Sequence, residues 1–450
     1  MPNGLWAILI LAVIIAGAIA TRRCTEFLLL GSVLGCVVLY RMRALPEWIA
    51  ILQEVVAGNA WLWLVCGLFG SLIALLQASR GTFGFSRFVS KLCTNERRTL
   101  LTAYVMGILL FVDDYLNVLT IGACMKGVFD RKKLPRESLA FILNSTGAPV
   151  CVLLPVSTWA VFFSALFYEE HIISSNFSSG LDAYIHAIPF CFYPILALLV
   201  VLLFCLGVIP KLGGMKRAFH RAAETGKVYS DASRRFNHED PAAAETDGSI
   251  WNFLIPMLVL VAVGVLTLDI LLAVVVALIV CLLLYVPRRV LSMEAFWNKT
   301  VSGFCDMMSI FFMLAAAFSL KEICDRLSLT EFLVQLVGPL LSPKLFPLAA
   351  FLLLSVLAFV TGSNWGMSAV VTPILLPMCE ALGANPVLTM AAIISGGTFG
   401  SHACFYTDAT ILSASSAGID NLEHALSQLP YVLIAAILSM AGFVIAGCLM

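Results

Sequence analysis

Long apolar runs separated by short polar stretches extend along nearly the whole chain, as in residues 5–20, 185–209 and 431–450. A transmembrane helix needs about 20 predominantly apolar residues, whereas a transmembrane β-barrel shows short segments of alternating polarity. The continuous runs therefore predict membrane-spanning helices. We expect an all-α polytopic membrane protein that crosses the cell (inner) membrane several times, with the lipid bilayer as its surroundings.

One long polar segment, residues 210–250, divides the chain into two membrane halves, residues 1–209 and 251–450. Its lysines and arginines predict a cytoplasmic polar linker, because cytoplasmic loops are enriched in these residues. Each half holds an apolar segment interrupted by polar residues, followed by a second interrupted segment. Counting the crossings inverts the second half relative to the first. We therefore expect two inverted structural repeats, with a site where the broken helices meet.

Two adjacent carboxylates, Asp113 and Asp114, lie inside the apolar segment 109–122. A charge at the bilayer centre costs about 2.5–3.5 kcal/mol on insertion scales, so such residues usually line a cavity and have a function. At helical spacing Asp113, Asn117 and Thr120 share one face, which offers the oxygen ligands that a hard cation prefers. We expect Asp113, Asp114 and Asn117 to bind sodium. The alternative is an acidic pair at the membrane surface.

Basic residues flank this segment on both sides, with Arg97 and Arg98 before it and Lys126 after it. If both ends are cytoplasmic, the segment is too short for two full crossings. A re-entrant hairpin, which enters the membrane and returns to the same face, fits this spacing. An ordinary slanted helix with a basic patch at each end is the alternative. The prediction is one re-entrant hairpin and one broken transmembrane helix in each repeat.

Three further segments place polar residues at membrane depth beside glycines and prolines, which interrupt helices. Small polar residues also serve helix packing in membranes, and a lone histidine in a bundle is more often a packing residue than a proton shuttle. We nevertheless expect these segments to contribute to cation and proton binding. The candidate residues are Asn144, Ser145, Thr146, Ser363, Asn364, His402, Asp408 and Thr410.

Composition narrows the function. The formal net charge is zero, which gives no reason to expect nucleic acid as a partner. The fourteen cysteines form no CxxC pair, which disfavours a metal or disulfide framework. No HExxH or GxSxG motif occurs, so we expect no enzyme, although Asp113 and Asp408 could mimic the acid pair of an intramembrane hydrolase. No cofactor is expected. Sodium ions and protons are the expected transported or coupling ions.

Four stretches carry a resemblance to a known family: FVDDYLNVLTIG at 111–122, NSTGAPVCVLLPVSTWA at 144–160, GSNWGMSAVVTPILLPM at 362–378 and TDATILSASSAGIDNLEHALSQLPY at 407–431. They resemble the NhaC family of sodium/proton antiporters, within the ion transporter superfamily. The resemblance implies inverted repeats with re-entrant hairpins, sodium coupling and a homodimer. It also implies a cation-site role for Asp113, Asp114, Asn117, Ser145, Thr146, Asn364, His402 and Asp408.

The chain departs from that family at residues 400–405, where Gly-Ser-His-Ala-Cys-Phe replaces Gly-Asp-His-Cys-Ser-Pro. The first expected function is secondary active sodium/proton antiport, in which cation and proton compete at intramembrane aspartates during alternating access. The alternative is sodium- or proton-coupled transport of a small carboxylate or amino acid. That small organic anion is expected at half-helix N-termini near residues 144–146 and 363–365.

Overall fold

The computed structural model describes residues 2–21, 24–81, 93–236, 249–267, 269–329, 332, 342–405 and 407–450. The first half contains α1 (Pro2–Thr21), α2 (Cys24–Tyr40), α3 (Ala44–Gly58), α4 (Ala60–Ala78), α5 (Glu96–Leu109), α6 (Asp114–Arg131), α7 (Arg136–Thr146), α8 (Ala148–Cys151), α9 (Thr158–Tyr168), α10 (His171–Ser174), α11 (Gly180–Ala187) and α12 (Phe192–Leu206). The linker contributes α13 (Gly213–Thr225).

The second half contains α14 (Trp251–Thr267), α15 (Ile270–Tyr285), α16 (Met293–Asp306), α17 (Met308–Arg326), α18 (Phe346–Thr361), α19 (Asn364–Leu382), α20 (Pro386–Ala403), α21 (Asp408–Ala417) and α22 (Asn421–Leu449). Short 3-10 turns occur at Arg41–Arg43, Ile188–Phe190 and Ala232–Phe236. The predicted all-α architecture is confirmed over the described residues.

Three described helical stretches are long and apolar enough to cross a bilayer: Thr25–Gly58, Asn364–Leu382 and Asn421–Leu449. Two bent pairs reach that length together, α11 with its 3-10 turn and α12 at 50°, and α20 with α21 at 45°. Further apolar helices of 10–17 residues accompany them. Broken and short helices are therefore as characteristic of this fold as continuous ones.

Four helices begin at breaks in the protein interior, and a side chain caps each of them. Asp113 Oδ1 accepts a hydrogen bond from the Leu116 amide at the start of α6, at 3.0 Å. The other three caps are the Ser157, Ser363 and Thr407 hydroxyls, which accept from the Ala160, Gly366 and Thr410 amides of α9, α19 and α21. First-turn amides lack partners within the helix, and apolar surroundings supply no water, so a polar residue stands at each of these four helix starts.

The two halves share this order of elements. In the first half α5 ends before α6, and α7 ends before α9; in the second half α18 ends before α19, and α20 ends before α21. Gly362, at φ +71°, ends α18 in the left-handed conformation that glycine adopts without strain. Lys132, just after α6, donates from Nζ to the carbonyl of Thr94, just before α5, at 3.1 Å. The open ends of the α5–α6 hairpin therefore lie together.

Close packing brings the breaks of the two halves together. In the second half, α20 lies along α18 because Gly396 leaves no side chain between them: a Cβ there would lie 2.6 Å from the Phe351 carbonyl oxygen. In turn, α21 packs against both α6 and α7 of the first half. The start of α21 is thereby held beside the start of α6, which places Asp408 near Asp113 and Asp114.

The polar linker is docked on the membrane halves rather than freely solvated over its described part. Helix α13 buries Met215, Ala218 and Ala222. From the same helix, Arg221 donates to both carboxylate oxygens of Glu137 at 2.8 and 3.0 Å, and to Glu423 at 3.4 Å. Glu137 lies in the first turn of α7 and is 1% exposed, so Arg221 neutralises a carboxylate that water does not reach.

We predict that Arg221→Ala lowers the free energy of unfolding by about 2–3 kcal/mol, because it leaves Glu137 buried without its charged partner. The measurement is the thermal midpoint of the purified protein in detergent. Arg217→Ala is the matched control, since Arg217 lies on the same helix and is exposed. Equal midpoints for the two variants would contradict the prediction.

Candidate functional site

A cavity of about 450 Å³ lies where the helix breaks meet, and both halves of the chain line it. Its lining residues come from the starts of α6, α9, α19 and α21, the end of α20, the α16–α17 junction and α2. They are Thr25, Asp113, Asp114, Tyr115, Thr158, Trp159, Asp306, Met307, Gly362, Ser363, Asn364, Trp365, Ser401 and Asp408.

Asp113 and Asp114 both face this cavity because the backbone is not helical at Asp113. Asp113 is extended, with φ −152° and ψ 138°, and Asp114 is the first residue of α6. The predicted helical face of Asp113, Asn117 and Thr120 is therefore wrong. The two carboxylates are 7% and 8% exposed, so both are buried within the protein.

In the first half, Thr158 at the start of α9 hydrogen-bonds the chain at the break before α6. Its amide donates to the Val112 carbonyl at 3.1 Å, and its hydroxyl donates to Asp113 Oδ2 at 3.4 Å. Asp113 is thus held by two groups, the Leu116 amide on one oxygen and the Thr158 hydroxyl on the other. The start of α9 positions the carboxylate that also caps α6.

The second half contributes a carboxylate and an amide to the same cavity. Asp408, the first residue of α21, accepts a hydrogen bond from the Tyr115 hydroxyl, which links the halves at the exposed side of the cavity. Asn364 begins α19, and its Oδ1 accepts from the Ser368 hydroxyl at 3.2 Å. Gly397 of α20 leaves the space that this amide occupies. Ser363 lines the cavity and caps α19.

Aromatic side chains form one wall of the cavity. The rings of Trp159 and Trp365 lie 5.0 Å apart between centroids, and Phe162 lies 4.4 Å from Trp365 on the far side. Trp159 comes from the first half and Trp365 from the second. The wall is therefore a contact between halves as well as a cavity surface.

A separate polar network lies behind the cavity and cross-links the halves. His402 is 3% exposed, and its ring nitrogens hydrogen-bond Ser145 Oγ at 3.2 Å and Tyr193 Oη at 2.8 Å. Asn144 Nδ2 donates to Gln428 Oε1 at 3.1 Å and lies within 3.5 Å of Thr410 Oγ1, His424 Nε2 and the His402 carbonyl. Asn144, Ser145, His402 and Thr410 therefore meet one another but do not line the main cavity.

Asn117 and Thr146 stabilise the breaks. Asn117 Nδ2 donates to the carbonyls of Gly107, Leu110 and Thr146, at 2.6, 3.2 and 3.1 Å. The Thr146 hydroxyl donates to the carbonyl of Ile142 within its own helix. Thr120 is half-buried, one turn beyond Asn117 and away from the cavity lining. Residues 144–146 end α7, so they present carbonyls rather than the expected helix N-terminus.

Several residues of the site and network carried no role in the sequence analysis. Tyr115, Thr158 and Ser401 line the cavity, and Tyr193, His424 and Gln428 complete the network. His424 and Gln428 had a signal, because these two polar residues lie four positions apart and so share one face of α22. Nothing in the sequence signals the role of Tyr193, since a tyrosine in an apolar run is as consistent with a packing role as with a role in a polar network.

The carboxylates, hydroxyls and amide around the cavity are hard oxygen ligands, which suit sodium as cargo. Over the described ranges, no three His, Cys, Asp or Glu side chains are grouped closely enough to hold a metal ion by themselves. Any cation here is therefore bound by carboxylates together with hydroxyl, amide or water oxygens.

A sequence model of the Na+/H+ antiporter family matches residues 150–448. The chain belongs to this family. The match runs from the first-half break at α8 through α19, α20 and α21, and so includes Ser363, Asn364, His402, Asp408 and Thr410. Family membership and the apolar helices make it a multi-pass membrane protein and a secondary transporter, with sodium ions and protons as the ions implied by the family.

Other comparisons agree with this fold. An uncharacterised protein of Haemophilus influenzae is 25% identical over 488 positions, covering 99% of this chain and 91% of that protein. Neisseria gonorrhoeae MtrF, described with a class of antimetabolite efflux pumps, matches with a TM-score of 0.63 at 16% identity, covering 90% of this chain and 84% of its own. The Alcanivorax borkumensis YdaH transporter, described as having an unusual topology, gives 0.62 at 16% identity, covering 90% and 89%.

We predict that Asn144→Leu destabilises this family member by about 1–3 kcal/mol, because the buried Gln428 oxygen loses its donor. Thermal unfolding in detergent measures the effect. Asn298→Leu is the control, since Asn298 is exposed on α16. A midpoint unchanged by Asn144→Leu would show that the network does not hold the halves together.

Proposed function

We propose that this protein is a sodium/proton antiporter of the cell (inner) membrane that works by alternating access. The observation that carries the proposal is the buried pair Asp113 and Asp114, joined in one cavity by Asp408 from the other half. No ion pair to these three carboxylates occurs within the described residues, so the chain itself leaves their charge uncompensated there.

Competition between the two ions follows from this arrangement. Adjacent carboxylates repel each other strongly where little water is present, so an added positive charge is favoured. Either a proton or a sodium ion supplies that charge, and binding one opposes binding the other. If the loaded forms cross more readily than the empty form, the result is exchange of sodium for protons.

The same proposal includes two inverted repeats, each with a re-entrant hairpin and a broken helix. The shared order of capped breaks and the adjacent open ends of the α5–α6 hairpin support it. In such transporters one part rocks against the other around a fixed midplane site. Membership of the NhaC branch and a homodimer belong to the same proposal, on the resemblance of residues 111–122 and 362–378.

The alternative, coupled transport of a small carboxylate or amino acid, has less support. No lysine, arginine or histidine lines the cavity among the described residues. One of the two expected anion sites, near residues 144–146, is a helix C-terminus, whose carbonyls repel a carboxylate. A small organic anion is therefore not part of the proposal.

We predict that Asp113→Asn and Asp114→Asn each reduce sodium-driven proton flux to the rate of empty liposomes, because the amide keeps the shape but removes the charge. The assay uses proteoliposomes with a pH dye inside and an imposed sodium gradient. In the unchanged protein, lowering the pH should raise the sodium concentration needed for half-maximal flux, as competition requires.

Asp231→Asn is the control, since Asp231 is an exposed linker carboxylate far from the cavity, and it should keep the full rate. Full flux in Asp113→Asn, or no sodium-driven flux in the unchanged protein at any pH, would reject sodium/proton antiport.

A further inference from the structure

The cavity is much larger than a sodium ion requires. A water molecule takes about 30 Å³ in the liquid, so a cavity of about 450 Å³ has room for about fifteen waters. Pockets that bind small organic molecules typically measure about 300–1,000 Å³. A sodium ion at Asp113 and Asp114 therefore leaves room in the cavity for a small organic group.

The charge around this space is strongly negative. Four carboxylates line it: Asp113 and Asp114 are buried, whereas Asp306 and Asp408 are exposed. No basic side chain lines it among the described residues, and no ion pair to these four occurs there. Four helix N-termini contribute roughly +0.5 each, or about +2 in total. Four ionised carboxylates exceed this, which favours a positively charged occupant.

The aromatic wall of the cavity favours an organic cation over an inorganic one. Trp159 and Trp365 pack against each other across the halves, with centroids 5.0 Å apart and planes at 60°, and Tyr115 follows Asp114 at the start of α6. Aromatic faces attract ammonium groups, and tryptophan does so most strongly. A sodium ion needs only oxygen ligands, so these rings add nothing to its site. They do provide an apolar surface for the body of an organic molecule.

The Trp159 indole is directed at one of these carboxylates. Trp159 is 2% exposed, and its Nε1 lies on the side of Asp114, which places the ring of the wall and the carboxylate next to each other.

We propose that this cavity binds a small organic ammonium ion, with the charged nitrogen at Asp113 and Asp114 and the apolar body against Trp159 and Trp365. The ion is carried in exchange for protons at the same carboxylates. This inference rests on the proposed cation/proton exchange and names a second class of cargo for it.

The test uses phenyltrimethylammonium, whose fixed charge prevents it from crossing lipid unaided. Binding to the purified full-length protein in detergent is measured by calorimetry, beside 3-phenylpropionate as the anion, phenylalanine as the zwitterion and 2-phenylethanol as the neutral compound. The expected result is saturable binding of phenyltrimethylammonium alone, displaced by sodium. Equal or tighter binding of any of the other three would overturn the proposal.

Trp365→Leu should weaken phenyltrimethylammonium binding about tenfold, since it removes one aromatic face and leaves every carboxylate in place. Trp297→Leu, at an exposed position on α16, is the control and should bind normally. The thermal midpoint of each variant verifies folding, and Trp365→Phe, which keeps an aromatic face, should restore part of the affinity. Unchanged binding in a folded Trp365→Leu would overturn the assignment.

Measurements of proton flux distinguish failure of this inference from failure of the proposed sodium/proton antiport on which it rests. Sodium-driven proton flux in proteoliposomes without ammonium binding would reject the organic cargo and leave sodium/proton antiport standing. Ammonium-driven proton flux without sodium-driven flux would reject sodium as cargo and retain the organic cation. In either case Asp114→Asn should abolish whichever flux is present.

Discussion

The structure depends on one constraint: a helix that is broken in apolar surroundings must find partners for its backbone amides and carbonyls. Each unpaired buried group costs about 1–3 kcal/mol. At four helix starts a side-chain oxygen accepts a hydrogen bond from a first-turn amide. These oxygens belong to Asp113, Ser157, Ser363 and Thr407. Polar residues at these positions are therefore required by the fold before any question of transport arises.

The proposed cation site is a consequence of that requirement. Helix starts carry partial positive charge, and this is what makes carboxylates tolerable so deep in the protein. Asp113 has both a structural role and a place in the cavity: one oxygen caps α6, and the other accepts a hydrogen bond from Thr158 at the edge of the cavity. Asn117 shows the reverse case. Its amide nitrogen donates to three carbonyls beside the breaks, whereas its Oδ1, the atom expected to bind sodium, is buried without a partner among the described residues and lies outside the main cavity lining.

The sequence was sufficient for the properties that depend on solvent and local chain chemistry. Continuous apolar runs predicted an all-α fold, and the polar interruptions lie at the observed breaks near Asp113 and Gly362. The sequence was not sufficient to predict contacts between residues that are far apart in the chain. The pairing of His402 with Tyr193 joins residues 209 positions apart, and nothing local to either residue indicates the other. The helical face assigned to Asp113 failed because helical spacing assumes an unbroken backbone, and the break occurs one residue before α6.

Two kinds of polar contact join the halves, and they differ in their exposure to the cavity. The Tyr115–Asp408 hydrogen bond lies at the exposed side of the cavity, where a cation in the proposed site would compete with the tyrosine hydroxyl for the carboxylate. The network of Asn144 and His402 is buried, and neither residue lines the main cavity. Alternating access needs a contact that responds to cargo and another that keeps the moving parts in register. The arrangement provides both on opposite sides of the same helix breaks, so occupancy of the cavity can alter one link between the halves while the other persists.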